Sequence, residues 1–290
     1  MDVYDAPEGA IRIRNIGTLA ELRAVEEVQR EVWGPDDVVP LTHLIAAVEV
    51  GAILTGAFDE RELVGFVYGF IGRESNHTVI HSHMLAVKPA YRNHALGYRL
   101  KLAQREQALA RGFERITWTF DPLQSRNAHL NFQKLGVIAD QYKIDFYGDE
   151  RQSPLDRHIG TDRLWVTWLL RSVRVLRRLE TVSEAEHLAP ALERTAALLV
   201  ESNSDGEPVH VEKAEGLEDE HVLIEIPLDI GRLQQHEPQL AVAWRAATRR
   251  AFTEALAAGY FVEEFYRRSR KGRQLGAYLL SRRRGQRGAR

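Results

Sequence analysis

Residues 85–98 read LAVKPAYRNHALGY, and this stretch decides how the rest of the chain is interpreted. It begins as an apolar strand, is interrupted by Pro89, and passes through a turn of small residues into a helix. The first N–H groups of a helix have no partner inside it, and the helix dipole favours anions there. The stretch therefore predicts a strand, turn and helix whose turn can bind a phosphate group.

A second informative stretch, residues 125–137, reads SRNAHLNFQKLGV and predicts a helix closed by Gly136. Together the two stretches resemble the acyl-CoA-binding core of the GNAT N-acyltransferase superfamily. In that superfamily an L-x-V-x-P strand runs into an Arg/Gln-x-x-Gly/Ala-x-Gly/Ala loop that holds the CoA pyrophosphate. An ordinary strand-to-helix turn is the alternative interpretation of the loop when it is taken alone.

Between residues 11 and 171 the sequence predicts the element order β-α-α-β-β-β-α-β-α-β-β, which is the order that the resemblance implies. Thr18 and Glu21 form a capping box at the start of the first helix. The predicted fold class is α/β, with a mixed sheet and the splayed central strands of the GNAT fold. We place a GNAT domain at residues 8–174.

The rest of the chain predicts a smaller C-terminal α+β domain at residues 182–281, followed by a basic tail at 282–290. Its strand, long helix and two closing strands resemble the end of the first domain. A degenerate half-copy of the GNAT fold and an unrelated appendage are both open interpretations. The long helix carries an apolar stripe that needs a partner surface, either the first domain or a second subunit, so a homodimer stays open. The stripe is formed by Leu240, Trp244, Ala247, Ala251 and Ala255.

The composition restricts the partners and the chemistry. A formal net charge of -2 does not call for a polyanionic partner, and the absence of cysteine excludes disulfides, thiolate metal sites and cysteine nucleophiles. Residues 1–9 lack the apolar core of a signal peptide, and no apolar run could span a bilayer. We expect a cytoplasmic protein without a membrane partner. The end of the chain, residues 267–290, holds ten basic residues and no acid, which we interpret as a solvated tail and not as a nucleic-acid site.

The resemblance implies an acyl-CoA co-substrate, acetyl-CoA or another, and no metal. By this resemblance the backbone of Leu85 and Val87 would pair with the pantetheine arm. Ser125 or Asn127 would bond to the pantetheine amides, and Asn127 is preferred because its amide both donates and accepts. Phe132 stands where many relatives carry a tyrosine that protonates the leaving thiolate. The pyrophosphate loop would be formed by Arg92, Asn93, His94, Ala95, Leu96, Gly97 and Tyr98. Many relatives have glycine at the position of Ala95, and we predict a helical backbone there, which alanine tolerates.

The catalytic residues are less well indicated by the sequence. A general base must take a proton from an ammonium group, so a pKa near 7 suits it, and His83 is the first candidate. Asp121, at the end of the strand across the splay, is the second candidate. Tyr142, or Tyr147 near it, could replace the missing tyrosine as the acid. For each of these residues a structural role is the alternative, and a proton relayed by water is also open.

The function that follows is transfer of an acetyl or other short acyl group to an amine of a small metabolite, such as an amino acid. Because no cysteine can carry the acyl group, we expect direct transfer in a ternary complex. A CoA-binding regulatory or scaffold protein without turnover is the alternative. A third hypothesis is a protein-modifying or nucleic-acid-associated acetyltransferase that docks through the basic tail.

Overall fold

The computed structural model describes six stretches of the chain: residues 11–92, 94–148, 159–180, 196–211, 217–270 and 272–282. The chain divides into two compact units. Unit 1 comprises Met1–Trp118 and Leu169–Arg171, and unit 2 comprises Thr119–Trp168 and Ser172–Arg290. This division follows compactness, so the predicted domains at 8–174 and 182–281 stay predictions. Apart from Arg282, the predicted tail lies outside the described residues. None of the helices within those six stretches is long and apolar enough to cross a membrane.

Unit 1 contains the elements predicted for the first part of the chain. In order they are β1 (Arg12–Asn15), α1 (Leu19–Trp33), α2 (Leu41–Glu49), β2 (Ile53–Asp59), β3 (Glu62–Glu74), β4 (His77–Val87), α3 (Leu96–Ala110) and β5 (Arg115–Phe120), whose last two residues belong to unit 2. The strands lie in the order β1-β2-β3-β4-β5. Neighbours are antiparallel except for the parallel pair β4 and β5. The predicted element order is confirmed here.

The start of α1 shows how local sequence sets an element boundary. The Thr18 hydroxyl accepts a hydrogen bond from the Glu21 backbone N–H at 3.2 Å, and the Glu21 carboxylate accepts one from the Thr18 N–H at 3.2 Å. This is the predicted capping box. The helix ends at Gly34, where φ is +93° and a side chain would be strained.

Two apolar layers cover the two faces of the sheet in unit 1. On one face, α1 and α2 pack against side chains such as Leu54 and Phe66. On the other face, Leu96 and Leu100 of α3 pack against β2 and β3 side chains that include Val67. Because alternate residues of a strand point to opposite faces, the same strands supply both layers. The sheet is therefore held from both sides, and α3 is fixed beside β4.

Unit 2 contains the second part of the predicted GNAT domain and the C-terminal region. In order its elements are α4 (Ser125–Ala128), which continues as a π-helical turn (His129–Lys134), β6 (Ile138–Lys143), β7 (Arg163–Leu169, the last residue in unit 1), α5 (Val173–Glu180), β8 (Ala197–Ser202), β9 (Pro208–His210), β10 (His221–Pro227), α6 (Ile230–His236), α7 (Pro238–Ala257), β11 (Tyr260–Arg270) and β12 (Arg273–Arg282). The strand order is β7-β6-β11-β12-β10-β8-β9.

A repeated arrangement is visible in unit 2. Helix α4 leads into the hairpin β6–β7, and helix α7 leads into the hairpin β11–β12. The first strands of the two hairpins, β6 and β11, are antiparallel neighbours, with Ala139 opposite Val262. Strand β10 is parallel to β8, as β5 is parallel to β4 in unit 1. This order agrees with the half-copy interpretation of the C-terminal region, while a common origin of the two parts stays a prediction.

Some predicted boundaries are wrong. The sequence predicts a strand at 141–147, but β6 spans Ile138–Lys143, because the backbone turns after it, with φ at +44° in Asp145. The basic segment 171–180, where the sequence predicts the boundary between the two domains, contains helix α5. Helix α6 has no counterpart in the prediction. All three differences concern short segments, in which a few residues decide the outcome.

The predicted need of the long helix for a partner surface is confirmed within unit 2. Helix α7 packs against β6, β10 and β11. Trp244 and Ala251 of the predicted stripe are buried, whereas Leu240 lies at its edge. Arg245 and Thr248 are also buried, although their polarity placed them outside the stripe. The C-terminal region is thus packed on elements of the predicted GNAT domain.

Candidate functional site

Strand β4 is paired completely on one side and only briefly on the other. β3 follows it from end to end, with one register shift at His83. On the other side, the pairs with β5 are Ile80 with Ile116 and His81 with Thr117. No further pair joins the two strands within the described stretches, so β4 and β5 part after His81. Beyond this point the N–H and C=O groups along one edge of β4 can pair with an extended ligand.

Leu85 and Val87 lie in the stretch of β4 that has parted from β5. Their side chains are partly buried and pack with Leu96 and Leu100 of α3. The side chains are therefore structural, and only the backbone of these residues could contact a ligand. This geometry agrees with the predicted main-chain role, which no comparison tests.

The predicted phosphate loop connects β4 to α3. A short 3-10 turn, Pro89–Tyr91, follows the strand, and α3 begins at Leu96 without a side-chain cap. Its first N–H groups therefore lack a side-chain acceptor, which is the property that phosphate binding at a helix start requires. Arg92 and His94 are exposed on the loop. Asn93 lies outside the described residues.

Several polar contacts hold this loop in place. The Tyr91 hydroxyl donates to Asp59 at 2.9 Å, and the Lys88 ammonium donates to Glu62 at 2.6 Å. The Arg92 Nε donates to the Val87 carbonyl at 3.3 Å. These bonds tie the loop to the β2–β3 turn and to the end of β4. A loop fixed in this way loses little freedom when a ligand binds.

The backbone of Ala95 corrects one expectation. It was predicted to be helical, but its φ of +54° and ψ of 15° are left-handed. An L-residue in this conformation is strained because its Cβ approaches the backbone oxygen, so glycine would fit this position with less strain. At Gly97 the backbone is not left-handed, and an added Cβ would meet only Leu85 Cδ2 at 3.7 Å. Space for alanine therefore exists at Gly97.

Two histidines of β4, with Phe70 of β3, form the candidate base region. His83 is exposed at the register shift, and its ring centre lies 5.8 Å from that of Phe70. The His81 ring lies 5.4 Å from Phe70, and its Nδ1 is 3.2 Å from the Thr117 hydroxyl. Burial, with the charges of His83 and Lys101, lowers the pKa of His81 to about 4. His81 is therefore neutral near pH 7, and His83 is the better placed of the two for proton transfer.

Contacts within the protein engage side chains of α1, α2 and β3. Tyr68 is fully buried, and its hydroxyl lies 3.0 Å from His43 Nε2. Trp33 packs edge-on against Phe66 at 6.3 Å. These contacts give Tyr68 and Trp33 a packing role. By contrast, Phe70 is 37% exposed and offers an aromatic surface beside the two histidines.

In unit 2, Asp121 is buried and ion-paired. Its carboxylate accepts a hydrogen bond from Arg245 at 2.7 Å and another from the Leu123 backbone N–H at 2.9 Å. A carboxylate held in this way stabilises the C-terminal end of β5 and the turn that follows it. The geometry favours the structural alternative over the predicted role as a base.

Tyr142 is likewise committed within unit 2. Its hydroxyl donates to Asp162 at 2.7 Å, and its ring stacks on Phe252 at 5.4 Å. Burial raises the pKa of Tyr142 well above its usual value of 10.0. A phenol that holds its proton so strongly is a poor acid, so the geometry does not favour its predicted catalytic role.

The two predicted CoA contacts on α4 and its π-helical turn differ in exposure. Asn127 is exposed, as a ligand contact requires. Phe132 is fully buried, with its ring 6.3 Å from Phe120 and 5.8 Å from Tyr278. Its packing against a strand of the C-terminal region accounts for an apolar ring at this position. A ligand contact through the Phe132 side chain is not favoured by this burial.

One polar residue near the parting strands was missed by sequence analysis. Lys101 of α3 is only 3% exposed, and its ammonium donates to the Ser82 hydroxyl at 2.7 Å. The local signal was available, because Lys101 follows Leu100 on the helix face that the sheet covers. A lysine in such a pattern is usually placed in solvent, which is why it was not considered.

Comparison with known proteins supplies the family. Residues 19–137 match the sequence model of the family described as "Acetyltransferase (GNAT) family". This match contains α1 to α3, the phosphate loop and α4 with its π-helical turn. None of the curated proteins matches the chain.

Solved structures of acetyltransferases are similar at low identity. The ribosomal-protein-S18-alanine N-acetyltransferase from Escherichia coli has 12% identity and a TM-score of 0.45, with 56% of this chain and 94% of that chain covered. Aminoglycoside 6'-acetyltransferase type Ii has 18% identity and a TM-score of 0.44, with 55% and 97% covered. The NatC complex bound to Gag peptide and CoA has 12% identity and a TM-score of 0.46, with 55% and 98% covered.

The family assignment therefore depends on the family model, which matches the segment containing the parted strand and the phosphate loop. Within residues 19–137 the chain therefore matches the GNAT family of acetyltransferases.

Proposed function

We propose that the protein transfers an acetyl or other short acyl group from acyl-CoA directly to an amine of a small metabolite. The observation that carries this proposal is the arrangement in unit 1, where the open edge of β4 leads into the start of α3. Ala95 precedes that helix without a side-chain cap, so its N–H groups can receive the CoA pyrophosphate. The edge containing Leu85 and Val87 can receive the pantetheine arm.

His83 is the residue that we propose as the general base. It is exposed at the register shift of β4, upstream of Leu85, where the thioester end of the cofactor would lie. Phe70 beside it offers a ring face to an ammonium group, an interaction worth about 0.5–1 kcal/mol at an exposed site. Both features support an amine acceptor.

The phosphate loop can be tested with two substitutions at one position. Gly97→Asp adds a negative charge at the start of α3, and we expect acetyl-CoA affinity to fall at least about tenfold, or about 1.4 kcal/mol. Gly97→Ala is the matched control, because its Cβ fits the available space. Equal acetyl-CoA affinity of the two folded variants in calorimetry would reject this loop as the phosphate site.

Turnover is tested by release of free CoA thiol with a panel of amines. We expect His83→Ala to lower the rate most below neutral pH, where a base is scarcest. An unchanged pH–rate profile would remove His83 from this role, and a ping-pong pattern in initial rates would reject direct transfer. If CoA thioesters bind but no amine releases thiol, the binding-only alternative gains support, since Asp121, Tyr142 and Phe132 are all committed to packing or hydrogen bonds.

A further inference from the structure

A buried ammonium group lies where β4 and β5 part. His81 and Thr117 are the last paired residues, and the residues that follow them are Ser82 and Trp118. The Lys101 Nζ donates to the Ser82 hydroxyl at 2.7 Å and lies 3.7 Å from the centre of the Trp118 ring. One lysine of α3 thus contacts both strands at the point where their hydrogen bonding stops.

This ammonium group has no carboxylate partner among the described residues. Among the described residues, the Lys101 charge acts on His81 of β4, His83 acts on His81 in turn, and Tyr98 and Arg105 lie one turn away from Lys101 on α3. None of these supplies a stable negative charge near pH 7. Burial lowers the pKa of Lys101 from 10.5 to about 7, which measures how poorly the site tolerates the unpaired cation.

A second buried polar side chain lies on the same helix face. Gln104, one turn after Lys101, is fully buried, and neither its amide nitrogen nor its amide oxygen has a hydrogen-bond partner in the structure. Buried polar groups are normally satisfied, because leaving one unpaired is costly. An unpaired cation and an unsatisfied amide in one layer indicate a site that receives a polar ligand group.

We propose that Lys101 binds the terminal carboxylate of the acyl group, so that the preferred donors are thioesters of CoA with a dicarboxylic acid, such as succinyl-CoA or malonyl-CoA. This inference rests on the proposed function, because it takes the pantetheine arm to run along β4 from Val87 toward His83. The acyl group then extends past His83 toward Ser82, where the ammonium group lies. The carboxylate would supply the counter-charge that the described residues do not provide.

The expected preference follows from the strength of a hydrogen bond between two charged groups. Such bonds contribute enough to change affinity about tenfold to a hundredfold. Butyryl-CoA is the matched donor, since it has the same acyl chain length as succinyl-CoA but no carboxylate. We expect succinyl-CoA to bind to the full chain about ten to a hundred times more tightly than butyryl-CoA.

The decisive variant is Lys101→Met, which keeps the length of the side chain and removes its charge. We expect this variant to bind succinyl-CoA and butyryl-CoA about equally in calorimetry, with unchanged affinity for CoA itself. The matched control is Lys143→Met in unit 2, which removes a lysine that also lies over a tryptophan ring, at 5.9 Å from Trp165, and we expect it to keep the wild-type preference. A preference that survives in Lys101→Met would overturn the inference.

A measurement on the unchanged protein remains decisive if Lys101→Met fails to fold. The free lysine loses its proton above pH 7, so binding a carboxylate there requires proton uptake. We expect the affinity for succinyl-CoA to weaken by up to about tenfold per pH unit above 7, and that for butyryl-CoA to change little. Equal pH dependence of the two donors would contradict the proposal.

If CoA and butyryl-CoA bind but succinyl-CoA is not preferred, only this inference fails, whereas failure of every CoA compound to bind overturns the proposed function as well.

Discussion

The buried cation of α3 and the buried cation of α7 differ in whether a carboxylate pairs with them. On α3 in unit 1, Lys101 contacts a hydroxyl and an aromatic ring but no carboxylate among the described residues, and burial lowers its pKa to about 7. On α7 in unit 2, burial also opposes the charge of Arg245, but Asp121, Tyr142 and Asp162 together outweigh burial and raise the pKa of Arg245. Burial therefore disfavours the charged form of Lys101, whereas Arg245 keeps its charge because it is paired with Asp121.

The difference separates a structural site from a ligand site. Beside Arg245, the guanidinium of Arg249 bonds to Asp162, so each of these cations has its carboxylate. Around α3, by contrast, two features oppose folding, namely the burial of the Lys101 ammonium without a carboxylate among the described residues and the left-handed backbone of Ala95. Strained backbone conformations and buried charges with shifted pKa values are concentrated at the sites where proteins bind ligands or catalyse reactions.

The largest expected effect is loss of the pair in unit 2. Arg245→Met would leave the Asp121 carboxylate buried without its counter-charge, so we expect the free energy of unfolding to fall by about 3–5 kcal/mol. Urea denaturation measures this change. If the pairing is responsible, the double variant with Asp121→Asn will be more stable than Arg245→Met alone.

A matched control lies on the same helix. Arg250 is exposed and pairs with Glu254 four residues later at 2.8 Å. Arg250→Met should change the free energy of unfolding by less than about 0.5 kcal/mol, because exposed pairs of this kind contribute little. Similar losses for the two variants would mean that burial does not distinguish the cations of α7.

An intermediate effect is expected from Lys101 as the pH changes. Because burial lowers its pKa from 10.5 to about 7, the unfolded chain holds this proton between pH 7 and pH 10.5 while the folded chain does not. Stability contributed by this group therefore rises with pH in that window. Between pH 7 and pH 9 we expect the wild-type protein to gain about 2 kcal/mol relative to Lys101→Met, at about 1.4 kcal/mol per unit. Parallel pH profiles from urea denaturation would show that Lys101 is not a destabilised cation.

Much of the fold was predicted from residues that are close together in the sequence. Contacts between residues far apart in the sequence were not predicted. The sequence predicts strands at 77–87 and 115–120, and these are the observed bounds of β4 and β5. Pro89 stops the first of these strands, and Gly112 ends the helix that precedes the second. The partner of Asp121 lies 124 residues away, and such pairing leaves no trace in local spacing. The role of Lys101 was missed for a related reason, since lysine in a helical pattern predicts solvent exposure unless the surrounding fold is known.

The candidate site shows the same limit. Resemblance supplied the phosphate loop and the parted strand, which depend on backbone groups and a characteristic order of residues. The catalytic residues depend on where folding places each side chain and how far it buries that side chain. Of the three that were predicted, Asp121 and Tyr142 are engaged by Arg245 and Asp162, whereas His83 is exposed. Sequence alone could not separate them, because their partners come from distant parts of the chain.

The smallest expected effect concerns the left-handed backbone of Ala95, just before α3. Ala95 is held at φ +54°, where an L-residue is disfavoured by about 1–2 kcal/mol, while glycine is not. Glycine also gives the unfolded chain more freedom, which offsets about 0.5–1 kcal/mol of this gain. We therefore expect Ala95→Gly to raise the free energy of unfolding by up to about 1 kcal/mol. Ala103→Gly, at a helical position of α3, should lower it by about 1 kcal/mol. In urea denaturation, a gain in the free energy of unfolding for Ala95→Gly together with a loss for Ala103→Gly would confirm the left-handed backbone at Ala95. A loss of stability in both variants would contradict it.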